Sequence, residues 1–330
     1  MRAVAYRKAL PITDPDALED VVLSVPTPGP RDLLVRVEAV SVNPVDTAFR
    51  AKADPGGQPR VLGFDAAGVV VAIGDEVTLF RPGDEVYYAG TPDRQGTNAE
   101  YHVVDERIAG PKPRRLSFAE AAALPLTTIT AYETLRDCFR LTADSSGTLL
   151  ILGGAGGVGS ILIQLVRALT QLRVVATASR PESSSWARQL GAHEVVDHND
   201  LVRNVHAVAD SVDYIFSPHT TGRIDDFAAL LRPGGEVTMI DGPSNLNLLP
   251  LRPKSISLHL ESMFTRPLHR TPDMIAQHEL LAHVAELIDA GAVRSTMTTE
   301  FSPINATTIR KAHELTESGR AIGKTVLVGF

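Results

Sequence analysis

Hydrophobic positions change their spacing three times along the 330-residue chain. Up to about residue 110 they come in short runs separated by turn residues. Residues 3–6 predict an edge strand. Pro26, Pro28, Gly29 and Pro30 form a cluster of breakers, and residues 33–40 then alternate partly, as a strand does. Asn43-Pro44-Val45-Asp46 predicts a turn into a short helical piece through Phe49 and Arg50. Residues 66–73 are apolar and β-branched between glycines. Arg81-Pro82-Gly83-Asp84 is a strong turn signal ahead of residues 85–88, and 99–104 predict a further strand. This spacing predicts a compact, mostly β, barrel-like domain.

From Ser117 the period becomes helical, with an alanine-rich piece at 118–124 and a continuation at 130–139 after Pro125. From Leu149 strands and helices alternate, the mark of a parallel sheet covered on both faces. Strands are predicted at 149–152, 174–179, 194–196, 213–216, 236–240 and 255–260. Helices are predicted at 157–169, 183–190 and 224–231, the last stopped by Arg232-Pro233-Gly234-Gly235. Six strands in this order predict a doubly wound α/β fold. The tail carries helices at 272–290 and 308–318, closed by Gly291 and Gly319, and a strand at 323–328. These do not extend a parallel sheet, so the tail is expected to pack back on the first domain. The expected division is 1–120, 121–262 and a returning 263–330.

Composition narrows the class without naming a chemistry. With 44% hydrophobic and 22% charged residues the chain has the make-up of a globular enzyme, and a net charge of −7 argues against a nucleic-acid-binding surface. The single cysteine, Cys138, precludes an internal disulfide and is read as inert core. The first twenty residues lack the apolar centre of a signal peptide, and no run of about 18 apolar residues predicts a membrane span. A cytoplasmic protein is expected.

Residues 149–169, LLILGGAGGVGSILIQLVRAL, join a short apolar run to a helix through a glycine cluster. Gly154, Gly156 and Gly159 fit the G-x-G-x-x-G spacing, with Gly157 and Val158 between them. At a strand-to-helix turn this lets backbone approach a pyrophosphate at the positive end of the helix; the plain alternative is a structural turn. The next strand ends in Ser179-Arg180 with no acid at its tip. A hydroxyl and a guanidinium suit a ribose 2′-phosphate, so NADP(H) is favoured over NAD(H). Glu182 is the opposing signal, and a surface Arg180 beside a capping Ser179 is the alternative.

Taken together these pieces resemble the medium-chain dehydrogenase/reductase superfamily. The likeness is carried by Pro28-Gly29-Pro30, Asn43-Pro44-Val45-Asp46, Gly63-Phe64-Asp65-Ala66-Ala67-Gly68, residues 81–86, Ala99-Glu100-Tyr101, Leu124-Pro125-Leu126-Thr127 and residues 153–159. Within the superfamily the chain is most similar to the zinc-free quinone oxidoreductase branch. Residues 177–183 and 255–259, with Met263-Phe264-Thr265-Arg266, point to the bacterial zinc-type alcohol dehydrogenase-like group. The resemblance implies a GroES-like catalytic domain split around a Rossmann domain, and a homodimer or homotetramer.

Zinc-dependent relatives place a Cys near the position of Val42-Asn43-Pro44 and a His at that of Phe64; neither is present, and one cysteine cannot build a four-cysteine lobe. No metal is expected. The resemblance implies that Asn43 and Thr127 line the nicotinamide end, that Asp46 and Asp65 support it, and that Phe264 walls the acceptor pocket. Lys324 is implied to reach the cofactor or its pocket. His198 stands where related reductases often carry a Tyr near the adenine, and Ile240 completes the expected cofactor contacts. Each has a plainer reading: Asn43 as a pre-proline turn residue, Asp46 as a helix cap, Asp65 as a turn acid, Phe264 as core, His198 as surface.

Without a Lewis acid a simple alcohol is hard to activate, whereas an electron-poor quinone or α,β-unsaturated carbonyl needs only orientation and donors for developing charge. Related enzymes often carry a Tyr soon after the Asn turn; Thr47-Ala48-Phe49 stands here, leaving Tyr88, Tyr132 or no side-chain acid. The implied activity is zinc-independent hydride transfer from NADPH to such an acceptor, with no nucleic-acid or membrane partner. Two alternatives are an enoyl-thioester reductase, for which Lys112-Pro113-Arg114-Arg115 is the only compact basic run, and an NADPH-binding sensor or association protein without significant turnover. If Arg180 holds the 2′-phosphate, Arg180→Asp should weaken NADPH by at least about tenfold in a fluorescence titration and leave NADH nearly unchanged. Equal loss of both would remove that role.

Overall fold

The computed structural model describes residues 1–330. The chain divides into two compact units, Met1–Ile129 with Phe264–Phe330, and Thr130–Met263. No helix is long and apolar enough to cross a membrane.

The first unit is built around the Asp32–Val42 strand, an eleven-residue run buried along most of its length. One edge pairs antiparallel with Asp65–Ile73; the other pairs with Tyr101–Asp105 at its start and with Lys324–Val328 at its end. Glu85–Ala89 and Ala109–Pro111 continue the sheet on one side, and Met297–Phe301 runs parallel to Lys324–Val328 on the other. The strand pairing demands close approach at one point. A Cβ on Gly68 would lie 2.2 Å from the Arg36 carbonyl oxygen, so only glycine lets these strands meet.

Several sequence expectations change here. Residues 3–6 are not an edge: Arg2–Tyr6 is the centre of a three-stranded sheet between Glu19–Val22 and Arg60–Val61. Its run Ala3-Val4-Ala5-Tyr6 is buried without alternation, as a strand covered on both faces must be. Glu19–Val22 and Met297–Phe301 escaped notice because they are half-exposed edge strands with little apolar content. The compact units divide at 129/130. The Phe118–Ala122 helix is tied to the first unit by Ser295 Oγ, which donates to the Glu120 carbonyl at 2.7 Å, and by Thr296 Oγ1 on the Ala123 carbonyl at 3.3 Å. The switch to helical period marked a new element, not a new domain.

The second unit holds a parallel six-stranded sheet of Thr148–Ile151, Arg173–Thr177, Glu194–Val196, Val212–Ser217, Leu231–Met239 and Ser257–Leu260. Across the sheet the order is third, second, first, fourth, fifth, sixth, so the topology reverses beside the first strand, where open α/β sheets bind ligands. Leu149, Leu150, Ile151, Val175, Ile215, Phe216 and Val237 are fully buried, which is why these strands read as continuous apolar runs. The breaker at 232–235 falls inside the Leu231–Met239 strand, which shifts register against Val212 and Tyr214. The Ile224–Leu230 helix therefore passes into a strand with an irregularity rather than a free turn. Gly68→Ala should cost about 1–3 kcal/mol in urea unfolding, as an overpacked strand pair does. A loss below about 0.5 kcal/mol would show that the two strands part freely.

Candidate functional site

Asn43 follows the Asp32–Val42 strand and precedes Pro44, the first residue of the Pro44–Lys52 helix, where a missing N–H is tolerated. The sheet register sets Ser41 between Asp65 on one side and Val326 on the other, so three distant segments meet at this strand end. Asp65 Oδ2 accepts from Ser41 Oγ at 2.8 Å, Asn43 Nδ2 at 2.8 Å and Lys324 Nζ at 3.2 Å. Its Oδ1 accepts from the Leu126 amide at 2.7 Å. Lys324 also donates to the Val42 carbonyl at 2.8 Å and to Asn43 Oδ1. Asp65, Asn43 and Lys324 are at most 3% exposed, so this is an ion pair in a dry interior. Such a pair persists only when neighbouring groups satisfy the remaining lone pairs and protons, as four donors on Asp65 and three acceptors on Lys324 do here.

Asp46 lies beside this cluster, also 1% exposed. Its Oδ2 accepts from the Asn43 amide at 2.7 Å, while its own amide donates to the Asn43 carbonyl at 3.0 Å. Asp46 thus caps the helix with its side chain, and the Asn43 side chain is left free to bridge Asp65 and Lys324. Asp46 Oδ1 is buried without a hydrogen-bond partner. Burial pushes the Asp46 carboxyl up to about 7; the Asn43 amide and Lys324 pull it down, Asp65 pushes it up, and the nearby Gly63 amide pulls it down.

Thr127 does not join the cluster, because its hydroxyl bonds back to the Leu124 carbonyl at 3.0 Å; the group that does reach Asp65 from this segment is the Leu126 amide. Phe264 packs on Phe64 with ring centres 4.8 Å apart, and Phe64 meets the Phe49 edge at 5.7 Å. Phe49, Phe64 and Phe264 therefore form an aromatic row that begins one residue from Asp65. Tyr88 is stacked on His102 at 5.5 Å, and its hydroxyl lies 3.1 Å from His102 Nδ1, whose Nε2 sits 3.0 Å from the Gln95 carbonyl. Burial raises the Tyr88 phenol far above its ordinary value and lowers His102 to about 4, which makes a neutral packed pair rather than a proton donor and its acceptor. Tyr132 belongs to the second unit, with the Arg136 guanidinium 5.9 Å over its ring.

The nucleotide features lie in the second unit. Gly153 and Gly154 amides donate to Thr177 Oγ1 at 2.9 Å and the Thr177 carbonyl at 3.0 Å, which pins the glycine turn to the end of the next strand. Thr177 was missed in the sequence because a strand-end threonine carries no motif. A Cβ on Gly159 would lie 2.3 Å from the Gly153 carbonyl oxygen, so the turn admits no side chain there. The Gly157–Leu169 helix that follows has no acid in its first turn, and the amides of Gly157, Val158 and Gly159 lack intrahelical acceptors. An anion fits such an end. Ser179 is exposed; Arg180 is half-buried, and its backbone starts the Pro181–Gln189 helix through Ser183 Oγ at 3.2 and 2.9 Å. His198 is half-exposed, 4.0 Å from Asp197. Ile240 follows the fifth strand, its amide on the Ser217 carbonyl at 3.1 Å. Lys324 belongs to the first unit, where its three donors go to Val42, Asn43 and Asp65. The half-buried Cys138 thiol is pushed up to about 11 by burial, far from a reactive thiolate.

The basic run at 112–115 is largely neutralised. Lys112 is buried against the Pro113 and Leu116 carbonyls and Glu85, while Arg114 and Arg115 engage Asp289. It offers no open cationic groove.

A GroES-like β unit and a six-stranded parallel sheet with a glycine turn, carried by one chain, define a nicotinamide-dependent oxidoreductase of the dehydrogenase/reductase kind. Residues 29–125 match the alcohol dehydrogenase GroES-like domain, and 190–327 match the zinc-binding dehydrogenase family. The chain is 43% identical to a zinc-type alcohol dehydrogenase-like protein of Staphylococcus aureus over 99% of both chains. It is 31% identical to the 2-methylene-furan-3-one reductase of Solanum lycopersicum, over 92% of this chain and 74% of that one. A crystal structure of a putative zinc-dependent alcohol dehydrogenase protein from Rhizobium etli matches with a TM-score of 0.96 and 49% identity, covering 100% of this chain and 98% of that one. The quinone oxidoreductase of Pseudomonas syringae matches with a TM-score of 0.85 and 27% identity, over 99% of both. The chain belongs to the medium-chain dehydrogenase/reductase superfamily, among its zinc-type alcohol dehydrogenase-like proteins.

The zinc in those descriptions does not fit this donor set. No three His, Cys, Asp or Glu side chains converge to hold a metal ion. In the cluster itself one carboxylate faces an ammonium and Phe64 offers no donor, so a dication would meet a fixed positive charge.

Proposed function

We propose that this oxidoreductase is zinc-independent and transfers hydride from NADPH to a quinone or an α,β-unsaturated carbonyl. The observation that carries the reading is the Lys324–Asp65–Asn43 cluster, a saturated organic ion pair in place of a metal donor set. Nothing in it acts as a Lewis acid toward an alcohol, so the reading assigns an acceptor that is already electron-poor. The nicotinamide, when bound, supplies the hydride.

The chain's own groups supply orientation and exclusion of water. Phe49, Phe64 and Phe264 pack edge-on and tilted against one another as an apolar wall, with Phe64 buried at its centre and Phe264 half-buried, and Phe264 is assigned to the acceptor. Asn43 is held at both ends of its amide, so its placement is fixed before anything binds, and Asp46 and Asp65 support it. Thr127 lines the same segment through its place beside Leu126. The Gly154–Gly159 turn and its helix end are assigned to the pyrophosphate, with Ser179 and Arg180 assigned to the 2′-phosphate and His198 and Ile240 to the adenosine side. Tyr88 is committed to His102, so the proton that completes reduction is assigned to solvent.

Stopped-flow NADPH oxidation against quinones, enones and enoyl thioesters tests this directly. Turnover is expected with the first two classes and not with the thioesters, for which the neutralised 112–115 run provides no phosphate groove. Tight NADPH binding without turnover on any acceptor would overturn the enzymatic reading.

A further inference from the structure

The buried cluster contains two carboxyl groups and one ammonium, and its hydrogen bonds are unevenly shared. Asp65 takes four donors, from Ser41, Asn43, Lys324 and Leu126. Lys324 has placed all three of its donors on Val42, Asn43 and Asp65. Asp46 accepts the Asn43 amide at Oδ2, the Gly63 amide lies nearby, and its Oδ1 is buried without a hydrogen-bond partner. With both acids ionised the cluster would carry a net negative charge in a dry site, and the second carboxylate would have backbone amides but no ammonium donor to stabilise it.

We propose that Asp46 holds the one proton that keeps this cluster in balance, as ammonium, carboxylate and neutral acid, and that the site stays assembled only while that proton is in place. The charged groups facing Asp46 are Lys324, from the Lys324–Val328 strand, and Asp65, from the Asp65–Ile73 strand; the polar ones are the Asn43 and Gly63 amides. Loss of the proton sets a second carboxylate in competition for Lys324. The ammonium then has less to give Asn43 Oδ1 and Asp65, and Asn43 is the residue at which the strand turns into the helix. Asp46 is a positioning residue in this account, and its action on turnover rests on the reductase reading above, whereas its action on stability does not.

The direction with pH follows from the raised carboxyl. An unfolded Asp titrates near 3.9 and the folded one at about 7, so the folded chain holds an extra proton between those values. The stability tied to Asp46 is full below the unfolded value, declines as pH rises, and is gone above the folded one. Asp46→Asn copies the neutral acid at every pH. In urea unfolding, wild type and Asp46→Asn should be close near pH 4, the variant should become progressively the more stable as pH rises toward 7, and the difference should level off from about pH 7.5 to 9. A difference that does not change with pH would overturn the proposal, whether or not any acceptor is reduced. In the activity arm, wild-type kcat should fall by about tenfold per pH unit above the transition, and the variant's profile should be flat there. An unchanged alkaline limb in a folded Asp46→Asn would likewise overturn it, while a protein that reduces no acceptor would defeat the reductase reading alone. Should the variant not fold, the infrared carbonyl band of a protonated carboxylic acid in the wild type should be present near pH 6 and lost by pH 9, and its absence at pH 6 would sink the proposal.

Discussion

The Lys324–Asp65 ion pair is the constraint on which the first unit depends. Its partners are 259 residues apart, one on the second strand beside Asp32–Val42 and the other on the strand the tail brings back. A buried pair is stabilising only in excellent company, and breaking one side leaves an uncompensated charge. Ser41, Asn43, Leu126 and the Val42 carbonyl provide that company, each from a position fixed by sheet register or helix start. The returning tail is therefore part of the site, and the split of this unit in sequence follows from the need to bring Lys324 to Asp65.

That arrangement also underlies the proposed chemistry. Relatives of this chain are described by zinc, yet the fixed positive charge here is an ammonium with no open position for a reacting oxygen. An ammonium held by three acceptors orients and compensates; it does not lower the pKa of an alcohol as a coordinated dication does. Next to Asp65 in sequence, Phe64 packs between the Phe49 and Phe264 rings.

Much of the second unit was legible because its strands are buried on both faces and read as unbroken apolar runs, and because the glycine cluster marks the turn between its first strand and the helix that follows. The first unit was less so. Ala3–Tyr6 looked like an edge until its two neighbours appeared, one of them the polar Glu19–Val22 and the other only two residues long. Asn43, Asp46, Asp65 and Lys324 were each singled out by motif, but no local pattern told that they bind one another, because sheet pairing across hundreds of residues sets their distances. Lys324 in particular carries no local sign that its three donors go to Val42, Asn43 and Asp65. Ser41 hides as one hydroxyl in an apolar strand, the Leu126 contribution is a backbone amide with no residue signature, and the Thr127 hydroxyl beside it bonds back to the Leu124 carbonyl.

The central claim is that Lys324 and Asp65 act as one unit. A double-mutant cycle in urea with Lys324→Ala, Asp65→Ala and the pair measures this most directly. Each single change should lose about 3–5 kcal/mol, and the double change should lose little more than either one, because the second removal relieves the charge stranded by the first. Additive losses would contradict the account.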